Sequence, residues 1–265
     1  FFPLIGVVIG GLSWLWGTYA GSFLDSRIFI TIVLLLIPVA VSGGIHLDGF
    51  CDTVDALASH QTREKKLEIL KDPHTGAFAV MGCMAYLLLT FALWTQPQGE
   101  FCLLAAKEMA VGYVFSRAMS AAAVVTFPCA KNSGLAHSFS SAAQKDRVRI
   151  ISILFALVCA VCFVLIHPVL GAAILAGCLM VFWYYHHMAM KQFGGVTGDL
   201  AGWFLQVNEI VILIVLVIRN IASTPSASIK TAPPYRIVSK VSIISCMLSP
   251  PYCAFSIPSI LFNVF

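Results

Sequence analysis

Charge is what this sequence has least of. Of its 265 residues only 11% are charged and 59% are hydrophobic, against about 25% and about 45–50% in an average soluble domain. Too few polar groups are present to cover a water-facing surface, so lipid must cover much of the chain. The net charge of +4 is small and scattered, which excludes a nucleic-acid-binding surface. Acidic residues are scarcer still: there are 12, of which six lie between Asp48 and Asp72 and none after residue 219. A disulfide framework is also missing. The nine cysteines are odd in number, and Cys83, Cys159, Cys162 and Cys178 sit inside apolar runs, where they behave as small hydrophobes. Cys159 and Cys162 have a zinc-like spacing, but no second pair accompanies them. No internal repeat is visible. The first apolar run lacks a basic leader and a small-residue cleavage site, so it does not read as a signal peptide.

Long apolar runs are what the sequence does have. Seven of them, at 4–20, 28–45, 78–95, 103–128, 150–166, 169–190 and 201–219, approach the ~20 residues that span a bilayer. The expected fold is all-α: a polytopic integral membrane helical bundle of about seven transmembrane helices. Residues 1–219 form the membrane-embedded unit. Residues 220–265 read as a linker, Ser223 to Pro234, followed by an apolar tail interrupted by Pro250, Pro251 and Pro258. An eighth span there stays open. The loops after the second, fourth and sixth spans hold nine basic residues (Arg63, Lys65, Lys66, Lys71, Lys131, Lys145, Arg147, Arg149 and Lys191), while the opposite loops up to residue 218 hold two, Arg27 and Lys107. Positive residues stay inside, so the first set is expected in the cytoplasm and the chain in the cell membrane.

The same loops carry the polar motifs. Asp48, Asp52 and Asp55 are spaced i, i+4, i+7, which places them within roughly 60° of one another on a helix. Three carboxylates on one face repel unless a cation sits among them, and Mg²⁺ prefers carboxylate oxygen and bridges to phosphates. A merely solvated helix face is the plainer alternative, but no basic residue interleaves. Gly43 and Gly44 either let backbone approach a ligand or end the second span. His46 would point away from the aspartates if the helix includes it. Leu67 and Leu70 give the basic stretch from Arg63 an amphipathic turn, which an interfacial helix explains. Lys71, Asp72 and His74 offer a cation, a carboxylate and an imidazole just before a span, a combination that suits a diphosphate; a plain membrane-entry loop is the alternative. Arg117 lies inside an apolar run, where it holds an anionic substrate, snorkels, or pairs with Glu209 in the last span. Gly194-Gly195-Val196-Thr197-Gly198-Asp199 could expose backbone N–H groups to phosphate, or simply connect helices.

Together these islands resemble the adenosylcobinamide-GDP ribazoletransferases, the cobalamin synthase family. The resemblance rests on Gly43 to Asp55, Lys71-Asp72, Thr75-Gly76, Ser116-Arg117, Gly134-Leu135-Ala136 and Gly194 to Asp199, and covers roughly residues 1–218. Ser42 stands where the family commonly has Thr, and Ala56 where it commonly has Gly. The resemblance implies an integral membrane, Mg²⁺-dependent transferase that joins adenosylcobinamide-GDP to α-ribazole or its 5′-phosphate and releases GMP. On that reading Asp48, Asp52 and Asp55 hold the metal and act with Asp72 in catalysis. His46, Lys71, His74, Arg117, Gly195, Thr197 and Asp199 bind substrate. The partners are those substrates and the lipid bilayer, and a homo-oligomer is allowed. Two rivals are weighed. A CDP-alcohol phosphotransferase needs Ala-Arg soon after Asp-Gly and more distant aspartates, whereas Asp48-Gly49 is followed at once by Asp52 and Asp55. A cation transporter favours mid-membrane acids and paired repeats, whereas here the acids cluster in a cytoplasmic loop and no paired repeat is visible.

Overall fold

The computed structural model describes residues 2–97, 100–130 and 145–223. The linker and tail from residue 224, and the Gly134-Leu135-Ala136 turn, lie outside the described residues. Chain contacts group residues 1–220 as one unit and 221–265 as another. The helical bundle belongs to the first.

Among the described residues the fold is built from nine α-helices: α1 Phe2–Tyr19, α2 Arg27–Val41, α3 Ile45–Ala58, α4 Arg63–Ile69, α5 Ala77–Trp94, α6 Glu100–Thr126, α7 Lys145–Ile166, α8 Pro168–Met188 and α9 Gly198–Ser223. A π-helical turn, Ala189–Phe193, extends α8. Six of these are long and apolar enough to cross a membrane, or seven if α2 and α3 together make one broken span. The chain is thus a polytopic helical membrane bundle. The central helices are α9 and α6, which bury 67% and 50% of their most apolar stretch, against 22–33% for the other spanning helices. The rest turn apolar stripes outward, such as Val80, Met84 and Leu88 on α5 and Leu154, Leu157, Val161 and Leu165 on α7. Helical spacing makes each stripe one lipid-facing surface.

Helix α1 lies close along α6. A Cβ on Gly6 would stand 2.7 Å from the Tyr113 carbonyl, and one on Gly10 2.5 Å from that of Ala110. Small residues are what let membrane helices approach this closely.

The break after α2 sets up the acidic face. Gly43 and Gly44 have φ of +63° and +79°, a region costly for any residue with a Cβ. Their N–H groups bond back to Ala40 and Val39, which ends α2 as a glycine C-cap does. Helix α3 then departs at 90° to α2. The two glycines are therefore a helix break: a Cβ at either would meet nothing within 4 Å, so conformation, not space, requires them.

Candidate active site

Helix α3 packs on the start of α9. A Cβ on Gly49 would stand 2.8 Å from Cα of Asp199, and one on Gly202 would stand 2.8 Å from the carbonyl of His46. This contact brings Asp199 to the face that carries Asp48 and Asp52. The electrostatics register the gathering: the Asp52 carboxyl is pushed up to about 6, first by burial and then by the charges of Asp48, Asp199 and Asp55. Asp48 is exposed and Asp52 and Asp199 are half-buried, so the face is open to a ligand. Among the described residues, no three His, Cys, Asp or Glu side chains close on a common point as a metal cage would.

The glycine loop before α9 is rigidly held. Gly194 and Gly195 donate their N–H groups to Met190 and Ala189 at 3.2 and 3.1 Å, and Val196 donates to Pro128 at 2.8 Å while accepting from Ala130 at 3.0 Å. These amides are committed within the protein, which corrects the expectation that Gly195 offers its N–H to phosphate. Thr197 is nearly buried and caps α9: its hydroxyl oxygen accepts from Leu200 N–H at 3.2 Å and lies 3.5 Å from Asp199 Oδ2. It serves the helix start that presents Asp199.

Helix α4 docks on the same loop. The Lys66 ammonium donates to Gln192 Oε1 at 2.6 Å, and the Arg63 guanidinium fills the space beside Gly194. The amphipathic pattern of this stretch suggests only an interfacial helix. Lys66 is instead buried, and its spacing ahead of buried Leu70 is the one signal that could have revealed this.

The remaining predicted site residues lie on the loop between α4 and α5, on the inner side of α3 and in the core of α6. Asp72 and His74 are exposed and engage each other: the carboxylate accepts from His74 N–H at 2.9 Å and lies 2.7 Å from Nδ1. The backbone bond, then the imidazole, hold the Asp72 carboxyl below its ordinary value. Lys71 is exposed beside them. His46 is buried, its ring edge-on to Phe2 with centroids 5.4 Å apart. Burial, and then the charge of Arg117, lower its pKa to about 4. It is a neutral packing residue on the inner side of α3, away from the aspartates, as the helical phase suggests.

Arg117 departs furthest from its expected role. It is 1% exposed and sits between α6 and α9. Its Nη1 donates to Glu209 Oε1 at 2.7 Å and to the Tyr113 carbonyl at 3.1 Å. Beside it Asn208 donates to the Ser116 hydroxyl at 2.9 Å. Arg117 therefore neutralises a buried carboxylate, so the substrate-holding role gives way to the pairing with Glu209. A small cavity among Tyr86, Thr90, Tyr113 and Glu209 belongs to this core and not to the acidic face.

A run of aspartates thus stands at the mouth of a membrane bundle, joined by Asp199 from a glycine-rich turn. The family model described as cobalamin-5-phosphate synthase matches residues 1–217. The chain belongs to this family. Curated relatives, all named adenosylcobinamide-GDP ribazoletransferase, include one from Lachnoclostridium phytofermentans, 42% identical over 205 residues, 77% of this chain and 77% of that protein. One from Desulfitobacterium hafniense is 31% identical over 220 residues, 81% and 83% of the two chains. One from Clostridium botulinum strain Alaska E43 is 32% identical over 216 residues, 79% and 82%. No solved structure matches. As a member of this family the chain is a transferase of cobalamin biosynthesis, built as a multi-pass membrane protein.

Proposed function

We propose that the chain joins adenosylcobinamide-GDP to α-ribazole or its 5′-phosphate, giving the adenosylated cobalamin or its phosphate and GMP. The chemistry is Mg²⁺-dependent phosphotransfer at the cytoplasmic face of the cell membrane. Family membership supports the substrates. The observation that carries the mechanism is the meeting of Asp48, Asp52 and Asp199 where α3 crosses the start of α9. The nine-to-two excess of basic residues on the same side supports the orientation.

The donor set fits Mg²⁺. Carboxylate oxygens are its preferred ligands, and it usually keeps waters and substrate phosphates alongside one or two carboxylates. An open face suits that habit better than a closed cage does. Asp48 and Asp52, with Asp199 beside them, would supply the one or two carboxylates that hold the ion, which when bound would neutralise charge on the diphosphate and on the departing GMP.

A ribose hydroxyl of the α-ribazole substrate attacks the phosphorus on the cobinamide side. A P–O bond forms there as the P–O bond to GMP breaks. Positioning and neutralisation are enough to drive such a transfer without a covalent enzyme intermediate. Lys71, exposed at the end of α4, supplies a point charge for phosphate oxygens. Asp72, exposed and ionised, accepts the hydroxyl proton or contacts a ribose.

The test is incubation of purified, lipid-embedded protein with adenosylcobinamide-GDP, α-ribazole and Mg²⁺, followed by chromatography. A complete cobalamin and an equal amount of GMP are expected. Uptake of a divalent cation into liposomes without GMP release would refute the reading.

A further inference from the structure

Asp55 has a role apart from the other aspartates of α3, one that rests on the proposed function. Gly76 is the N-cap residue just before α5, with backbone angles φ −77° and ψ 165° but no side chain to accept from the first-turn amides. The amide a cap normally satisfies lies three residues on, at Ala79. That N–H donates to Asp55 Oδ1 at 3.3 Å, from a residue 24 positions earlier on α3. The space a Cβ on residue 76 would fill is occupied by the Asp55 carboxylate. Asp55 therefore stands where the capping side chain of α5 would stand, supplied by another helix. Its negative charge faces the positive end of α5. A second contact lies alongside, where a Cβ on Gly82 would meet Val54 at 2.8 Å.

We propose that Asp55 is a positioning residue: it caps α5 in place of the absent side chain of Gly76, and so fixes α3 in the rotation that turns Asp48 and Asp52 toward Asp199. The i, i+4, i+7 pattern then divides into two roles, with the first two carboxylates facing the substrate and the third holding the helix that carries them. Gly76 is glycine because Asp55 needs the room.

The test compares Asp55→Ala, Gly76→Ser and the double variant with wild type, by thermal melting and by GMP release. Loss of a cap is expected to lower the melting temperature of Asp55→Ala by about 2–4 °C. A helix displaced by about 1 Å is expected to lower its activity on the order of 10²-fold. Gly76→Ser alone clashes with the Asp55 carboxylate and also lowers the melting temperature. In the Asp55→Ala background the same serine has room and caps Ala79 N–H. It should then raise the melting temperature and return activity to within about threefold of wild type. This reversal of sign is the signature of the proposal.

If the double variant melts like wild type but stays as inactive as Asp55→Ala, the carboxylate acts at the reacting centre and the positioning role is overturned. If serine lowers the melting temperature in both backgrounds, or neither, the cap contributes nothing and the proposal falls. Should Asp55→Ala fail to fold, Asp55→Asn decides. It keeps the acceptor oxygen and loses the charge, so retained activity supports the cap and inactivity with normal melting overturns it. Absence of GMP release by wild type would sink the proposed function, yet the sign reversal in the melts would still be readable.

Discussion

Arg117→Met removes a guanidinium from the centre of the bundle and leaves Glu209 without its counter-charge. The two side chains are 1% and 4% exposed and bonded at 2.7 Å, so no water screens the carboxylate that remains. Methionine keeps much of the apolar stem, so the cavity left behind is small and the stranded charge dominates. Breaking a buried pair from one side costs about 3–5 kcal/mol. At about 2–4 °C per kcal/mol for a chain of this size, the melting temperature should fall by about 6–20 °C. Glu209→Gln in the same background removes the stranded charge, and replacing both members of a buried pair is often neutral. The double variant should therefore recover most of the loss. Melts of the two single variants and the double variant in lipid nanodiscs, with GMP release measured alongside, make the comparison. The reasoning is refuted if Arg117→Met melts within about 2 °C of wild type, or if adding Glu209→Gln recovers nothing. A double variant that is well folded but inactive would return Arg117 to the substrate.

Four further outcomes are expected. Asp52→Asn keeps size and hydrogen-bonding capacity but should reduce activity by orders of magnitude while leaving melting unchanged or slightly higher; normal activity at low Mg²⁺ would remove Asp52 from the ligand set. Because the folded-state pKa of Asp52 is raised to about 6, its ionisation opposes folding. In metal-free buffer, wild type should lose stability relative to Asp52→Asn as pH rises from about 4 to about 6 and hold level above that, and parallel melting curves for the two proteins would contradict this. Gly49→Ala forces a methyl into the 2.8 Å approach to Asp199, an overpacking cost of about 1–3 kcal/mol that should separate α3 from α9 and depress activity more than stability. In a cysteine-free background, single cysteines near Arg63 and near Thr95 should label from opposite sides of the membrane, and labelling from one side would break the topology.

The spans and the acidic cluster are legible in the sequence because both are local signals. An apolar run of bilayer length, or three carboxylates at i, i+4, i+7, is written in consecutive residues. The run 28–45 shows where local reading stops. Its apolar character continues through Gly43 and Gly44, but the positive φ at both glycines ends α2 at Val41 and turns α3 through 90°. In sequence the glycine pair reads equally as a helix end or a ligand approach, and the backbone angles decide between them.

What the sequence hides, or offers only as one alternative among several as for Arg117 and Glu209, is the set of contacts made across the chain. Arg117 and Glu209 are 92 residues apart, Lys66 and Gln192 are 126 apart, and Asp55 reaches Ala79 across 24. No periodicity encodes such partnerships, and a charged residue in an apolar run reads the same whether it faces a substrate or another helix. Burial separates the cases. Arg117 and Lys66 are nearly inaccessible and each has a protein acceptor, whereas Asp48 is exposed and Asp52 carries a pKa raised by burial and its neighbours' charges. Unrelieved repulsion at an open surface is what a bound cation and its phosphates would remove. Arg117 and Lys66 are already engaged by acceptors within the protein, so the face where α3 crosses α9 is where we propose that the chemistry takes place.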